Sequence, residues 1–164
     1  MLSTLLVFGS GISAAIAALQ ISSTSPTSGG TSPLCMTTES NNDGALVSLA
    51  ACDRATDTLP AGNRTWVYLW SRLAGPIKTY SGTKCLNVRS GADSDGTALQ
   101  IWTCVQGSPN QKFVVDDNLQ TITWYGRNKC VDITNENLAP GNHLQIWGCN
   151  SSNDNQKWAT SEIV

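Results

Sequence analysis

Cys85-Leu-Asn-Val, Gly96-Thr-Ala-Leu-Gln-Ile-Trp-Thr-Cys104 and Asn110-Gln-Lys-Phe113 return further along the chain. They reappear as Cys130-Val-Asp-Ile, Gly141-Asn-His-Leu-Gln-Ile-Trp-Gly-Cys149 and Asn155-Gln-Lys-Trp158. The offset is 45 residues throughout, and ten of the 29 positions from Cys85 to Phe113 are identical to their counterparts. Self-similarity at a fixed period marks a repeat architecture. A diverged third copy lies upstream. Cys35-Met-Thr-Thr opens it, and Asp43-Gly-Ala-Leu-Val-Ser-Leu-Ala-Ala-Cys52 matches Asp95 to Cys104 position by position. Asn63-Arg-Thr-Trp66 closes it after a longer loop carrying Pro60 and Gly62. The repeats run 19–70, 71–117 and 118–164.

Each copy reads as short strands. Leu99-Gln-Ile-Trp and His143-Leu-Gln-Ile-Trp alternate with period two, and Asp-Gly, Pro-Gly and Gly-Ser-Pro groups separate the apolar runs. No segment carries a sustained helical stripe. A repeat of this size cannot bury its own apolar face, whereas three copies closing on one axis can. Val47, Leu49, Leu99, Ile101, Leu144 and Ile146 are then expected to point inward, with Trp66, Phe113 and Trp158 filling a shared core. Leu19-Gln-Ile-Ser is the expected first strand of repeat one. The turn-rich stretch from Ser22 to Pro33 follows it as a loop inside that repeat.

The composition narrows the function. Charged residues make up 13% of the 164, with a formal net charge of -2, which leaves no broad basic surface for nucleic acid. The single histidine, His143, excludes chemistry that needs two. Acidic residues are scattered, with no facing pair for glycosidase chemistry and no nucleophile–base pair, so the chain reads as a non-enzyme. No cofactor or metal is expected, since no cysteine pair has the Cys-x-x-Cys spacing of a zinc or redox site.

Residues 2–18 form an apolar run ending in small residues, and Ala15-Ile16-Ala17 has the small-x-small form of a signal-peptidase site. Residues 1–18 are therefore expected to be a cleaved signal peptide, leaving 19–164 as one extracellular domain. No later stretch is long and apolar enough to suggest membrane insertion. The cysteines agree with export. Six allow 15 connectivities, but each repeat holds one pair, 17 or 19 residues apart. The simplest pairing is Cys35–Cys52, Cys85–Cys104 and Cys130–Cys149. Asn63-Arg-Thr and Asn150-Ser-Ser are N-glycosylation sequons, each equally readable as unmodified.

With Gln-x-Trp-type closings in three registered copies, preceded by Cys-Val-Asp and Gln-Ile-Trp-x-Cys, the chain resembles the ricin B-type lectins and family 13 of the carbohydrate-binding modules. The short form resembles fungal members. The resemblance covers essentially everything after the leader. It implies an all-β fold, a β-trefoil of about twelve strands, with one potential sugar site per repeat and glycans as partners, commonly of the galactose or N-acetylgalactosamine type.

A sugar presents directional hydroxyls and a patch of C–H groups, so a site needs a fixed carboxylate, amides and an aromatic face. Repeat three has all of them. Alternation puts Val131 and Ile133 inward and Asp132 outward, and it puts His143, Gln145 and Trp147 on one face of the next strand. The resemblance implies that Asp132 accepts from two adjacent hydroxyls, Trp147 stacks on the ring and Asn155 bonds another hydroxyl. Gln145 and Gln156 brace the site, and His143 faces the same way, as a rim residue or a further sugar contact. Gln156 and Trp158 also read as fold elements. Repeat two keeps Gln100, Trp102, Asn110 and Gln111 but has Asn87 in place of the acid. An amide carries no charge, and neutral hydrogen bonds are roughly half as strong as charge-assisted ones. A weaker or differently selective site is expected there. Repeat one has Thr37, Ser48 and Ala50 at the acid, glutamine and tryptophan positions, and reads as structural. The alternative function is a β-trefoil protease inhibitor acting through surface loops. A structural or toxin-type secreted protein that docks through glycans is a third reading.

Overall fold

The computed structural model describes residues 18–25, 33–52, 62–69 and 72–162. The expected leader lies outside these residues except for Ala18. So do 26–32 of the turn-rich stretch and most of the long loop of repeat one.

Eleven strands are present among the described residues, with no α-helix. Repeat one supplies β1 (Leu19–Ser23), β2 (Leu34–Thr38) and β3 (Val47–Ala51). Repeat two supplies β4 (Lys78–Thr79), β5 (Lys84–Val88), β6 (Thr97–Thr103) and β7 (Phe113–Asp116). Repeat three supplies β8 (Thr121–Trp124), β9 (Lys129–Ile133), β10 (Leu144–Gly148) and β11 (Trp158–Glu162). The twelfth position, the fourth strand of repeat one, is reduced to Trp66 and Val67, which bridge to Leu19 and Lys78.

Fourth strands pair with the first strand of the next repeat. β7 runs antiparallel to β8, Val67 bridges to β4, and β11 pairs with β1 from Leu19↔Glu162 to Ser23↔Trp158. The ring thereby closes between the last repeat and the first. Second and third strands form the hairpins β2–β3, β5–β6 and β9–β10, which meet around one axis. Three equivalent backbone bonds lock them: Gly44 N–H to Ile101 O (2.9 Å), Gly96 N–H to Ile146 O (3.0 Å) and Gly141 N–H to Leu49 O (2.7 Å). All three glycines have φ between 84° and 88°, the left-handed region that costs a side chain about 1–2 kcal/mol.

The six hairpin residues expected inward, Val47, Leu49, Leu99, Ile101, Leu144 and Ile146, are completely buried. Trp66, Phe113 and Trp158 fill the layer beneath them. The indole N–H of Trp66 donates to Met36 O and that of Trp158 to Val131 O, each at 3.0 Å, so two of the three large side chains also tie down the second strand of their own repeat. The three disulfides join the expected pairs, with Cα–Cα distances of 5.0, 5.1 and 5.0 Å. The six cysteines are all paired.

An ionic clamp adds direction to the ring. Asp43 of repeat one accepts from Lys84 Nζ and Thr103 N of repeat two, both at 2.6 Å. Asp95 of repeat two accepts from Lys129 Nζ (2.6 Å) and Gly148 N (2.8 Å) of repeat three. The corresponding position in repeat three is Pro140, and the lysine position in repeat one is Leu34. The third seam therefore lacks the clamp and is held by β1–β11 together with the backbone bonds between Leu49 and Gly141–Asn142.

Two predictions follow from this packing. Trp158→Phe leaves Val131 O without its indole donor and should cost about 1–3 kcal/mol in urea unfolding. An unchanged unfolding free energy would show that this bond contributes nothing. Asp43 and Asp95 are both held below the ordinary carboxylate range, chiefly by the hydrogen bonds from Lys84 and Lys129 respectively. Their stabilisation is complete above about pH 4 and is lost as the pH falls further. The double variant Asp43→Asn/Asp95→Asn should be less stable than the parent near neutrality, and the gap should close on acidification. A gap that widens in acid would contradict the clamp.

Candidate functional site

β9 and β10 pair in a register that sets Asp132 opposite Gln145 and Val131 opposite Ile146. The aliphatic pair turns into the core and the polar pair faces the other way. Gln145 Nε2 donates to Asp132 Oδ1 at 2.9 Å. The loop after β10 then folds back over this pair, and its 3-10 turn (Asp154–Gln156) with the capping Asn153 brings two more amides to the acid. Gln156 Nε2 donates to Oδ2 at 3.0 Å and Asn153 Nδ2 to the same oxygen at 3.3 Å. Asp132 stands on the outward face, as alternation demands, but it is not open to solvent. It is 4% exposed, because that loop covers it.

Burial pushes the Asp132 carboxyl above the ordinary carboxylate range. The bonds from Gln145, Gln156 and Asn153 oppose this, and the nearby charge of Asp95 adds to it. The result is a carboxylate held by three neutral amides, with no cation among its hydrogen-bond partners. Asp132, Asn135, Glu136, Gln145, Trp147, Asn153 and Asn155, with Ile133, line a shallow depression of about 260 Å³. Trp147 is 44% exposed at its side and offers an apolar face. The peptide N–H of Gly148, next to it, is held by Asp95, so the preceding repeat fixes the strand that carries this tryptophan.

The expected site residues distribute as follows. Asp132, Gln145, Trp147 and Asn155 meet in the depression. Gln156 is fully buried and bonded at both ends of its amide. Its Oε1 accepts from Asn150 N (2.9 Å), while its Nε2 reaches Gly148 O (3.0 Å) as well as Asp132. His143 lies outside the lining, exposed at the seam with repeat one, where it bridges to Ser48. Asn153, Asn135 and Glu136 were not anticipated. Asn153 has Ser108 as its counterpart in repeat two, so comparing the repeats gives no signal for it. Asn135 and Glu136 form a turn with φ of 54° and 55°, a strained conformation for residues with a Cβ.

Repeat two repeats the plan with less. Asn87 faces Gln100, whose Nε2 donates to Asn87 Oδ1 at 3.2 Å, and Trp102 is 42% exposed. Gln111 makes the same loop clasp as Gln156, from Val105 N (2.8 Å) and to Thr103 O (3.1 Å). Glu136 is replaced by Gly91, and a Cβ there would lie 2.6 Å from Asn110 Oδ1. Asn110 is therefore packed down on the turn. In repeat one the corresponding Asn63 is buried, and its Nδ2 donates to Thr37 Oγ1 (3.2 Å) and Thr38 O (3.4 Å). The asparagine fills the space left by the small Thr37.

Larger hollows lie elsewhere, among them one of about 400 Å³ lined, among the described residues, by Arg72, Asp116, Asp117 and Asn118, with no aromatic face. Another of about 490 Å³ sits beside Cys85–Cys104, and one of about 680 Å³ lies between Gly62 and Thr79. Among the described residues, no acidic or aromatic side chain lines the 490 Å³ or the 680 Å³ hollow. Among the described residues no group of histidine, cysteine or acidic side chains could hold a metal ion, and no helix is long and apolar enough to cross a membrane.

Comparison with known proteins places the fold and the family. No curated protein sequence matches the chain significantly. Among solved structures it is similar to ThreeFoil, a designed 3-fold symmetric protein, at TM-score 0.72 and 19% identity over 89% of this chain and 99% of that one. It is also similar to the earthworm R-type lectin C-half in complex with GalNAc, at TM-score 0.62 and 17% identity, over 89% and 99% of the two chains. A Polyporus squamosus lectin gives TM-score 0.66 and 18% identity over 90% of this chain, which spans about half (49%) of that lectin. At such identities the likeness establishes the β-trefoil alone. The ricin-type beta-trefoil lectin domain model matches residues 27–158, which is most of the sequence. The chain therefore belongs to the ricin-type β-trefoil lectin domain family.

Proposed function

We propose that this protein is a non-enzymatic, exported lectin that binds glycans mainly through the depression of repeat three. The observation that carries the reading is a buried carboxylate, Asp132, fixed by three amides beside a half-exposed tryptophan. The family supports sugar recognition in general. The GalNAc in the earthworm neighbour supports a galactose-type ligand. Three disulfides support an oxidising compartment.

An ionised carboxylate offers about four lone-pair directions. Gln145, Gln156 and Asn153 take three of them. One sugar hydroxyl can donate to Asp132 directly. A second requires Asn153, the longest of the three bonds, to release Oδ2. Asn153 is thus the adjustable member, free to turn toward the ligand once displaced. Trp147 covers the C–H face of the ring, and Asn155 meets a further hydroxyl. Asn87 in repeat two lacks the charge, so that site is weaker.

The caged acid dictates the choice of variant. Asp132→Ala strands three amides, two of them buried, whereas Asp132→Asn copies the arrangement that Asn87 and Gln100 already adopt. A hydrogen bond to a charged group contributes about 1.5–3 kcal/mol. Asp132→Asn should therefore weaken binding of N-acetylgalactosamine or galactose about 10- to 150-fold in calorimetric titration, and Asn87→Ala should change total binding much less. A folded Asp132→Asn protein that binds like the parent would remove the main support for this site.

Acid should act through the same group. The Asp132 carboxyl is raised by burial, so it takes up a proton at a higher pH than an ordinary carboxylate. Binding should be full near neutrality and should fade on acidification before Asp43 and Asp95 protonate. For stability the sign is reversed relative to those two residues. A raised carboxyl favours the fold when protonated and costs it when ionised. Binding that persists unchanged to about pH 3 in folded protein would contradict the role of the Asp132 charge.

A further inference from the structure

The two N-glycosylation sequons take opposite places in the fold. Asn63 is 3% exposed, and its Nδ2, the atom that would carry a sugar, donates to Thr37 Oγ1 and Thr38 O. Thr37 and Thr38 are themselves buried. A glycan on that nitrogen would have to leave the interior and strand both acceptors. Asn150 is exposed, as are Ser151 and Ser152. Its Oδ1 accepts from Ser152 N at 3.0 Å, an Asx turn that holds the acceptor amide over the hydroxyl end of its own tripeptide. Its peptide N–H is clasped by Gln156, so the backbone is fixed while Nδ2 is bonded to no described residue.

We propose that Asn150 is the N-glycan acceptor of this chain and that Asn63 is not. The donor class is a polyprenyl-diphosphate-linked oligosaccharide. The Asn150 Nδ2–C1 bond forms as the C1–O bond to the diphosphate breaks. The amide gives up one proton and the polyprenyl diphosphate departs. The modified residue lies on the loop that also carries Asn153, Asn155 and Gln156, so the glycan stands on the same segment as the candidate site. Addition at Asn63 before folding would block closure of repeat one, because the Thr37 hydroxyl and the Thr38 carbonyl take their hydrogen bonds from that side chain inside. The inference requires export but not sugar binding by the depression. Its failure would leave the lectin reading as it stands.

The test is expression of the full chain through the secretory pathway of a eukaryotic host, with mass spectrometry of the soluble folded protein before and after peptide-N-glycosidase treatment. The parent should carry one N-glycan, with the enzyme converting Asn150 to aspartate. Asn150→Gln and Ser152→Ala should each abolish the mass shift and leave the thermal midpoint unchanged. Asn63→Gln should keep the shift and lower the midpoint. A glycan found on Asn63 of folded protein would overturn the proposal. So would an unmodified Asn150 in the secreted parent.

Discussion

A hairpin with one apolar face has nowhere to put it unless another hairpin covers it, and everything else in this molecule follows from that. Each repeat contributes two aliphatic residues from its third strand and one large ring from its closing sequence. Only the three sets together make a layer without solvent. Burying a side chain of this size contributes about 1.5–3 kcal/mol, whereas a lone repeat would leave most of it wet. The three glycine-to-carbonyl bonds at the centre exist because the hairpins must approach closely, and each sits at a left-handed turn next to an aspartate or proline. Symmetry is thus imposed by the core and relaxed at the surface. Asp43 and Asp95 clamp two seams, whereas Pro140 leaves the third to strand pairing.

The same alternation that fills the core creates the outward face that carries the candidate site. A residue opposite a core leucine or isoleucine must face the other way, so Thr37–Ser48, Asn87–Gln100 and Asp132–Gln145 occupy equivalent places. What each pair can do then depends on its chemistry. A threonine leaves a gap that Asn63 enters. An asparagine makes one neutral bond and leaves its neighbour packed on Gly91. Aspartate gathers three amides and keeps about one lone pair for a ligand. Tryptophans at 102 and 147 follow the clamped seams, and Ala50 stands at the unclamped one. An aspartate of the preceding repeat therefore buttresses each platform.

Much of this was legible in the sequence because the repeats check each other. A constant offset between two copies fixes strand order and register. The cysteine pairs then fall within repeats, and the inward set from Val47 to Ile146 follows from period two. Alternation puts Asp132, Gln145 and Trp147 on one outward face, and the family resemblance adds Asn155; the structure brings these four together. What the sequence hid is whatever differs between the copies or depends on loops. Asn153 aligns with Ser108 and carries no repeated signal. The cover over Asp132 depends on the path of 149–157, which strand alternation does not describe. His143 has the right parity but sits at a seam. Asn63 reads as a surface sequon until Thr37 is seen to need filling.

The central claim is that a ligand sugar sits over Asp132 against Trp147. Two-dimensional NMR of labelled protein titrated with N-acetylgalactosamine tests it most directly, since indole and side-chain amide protons report individually. The account predicts saturable shifts at the Trp147 indole N–H and at the side-chain amides of Gln145, Asn153 and Asn155, with smaller changes at Trp102. Shifts confined to the hollow beside Cys85–Cys104, or no response to this or any other glycan, would contradict it.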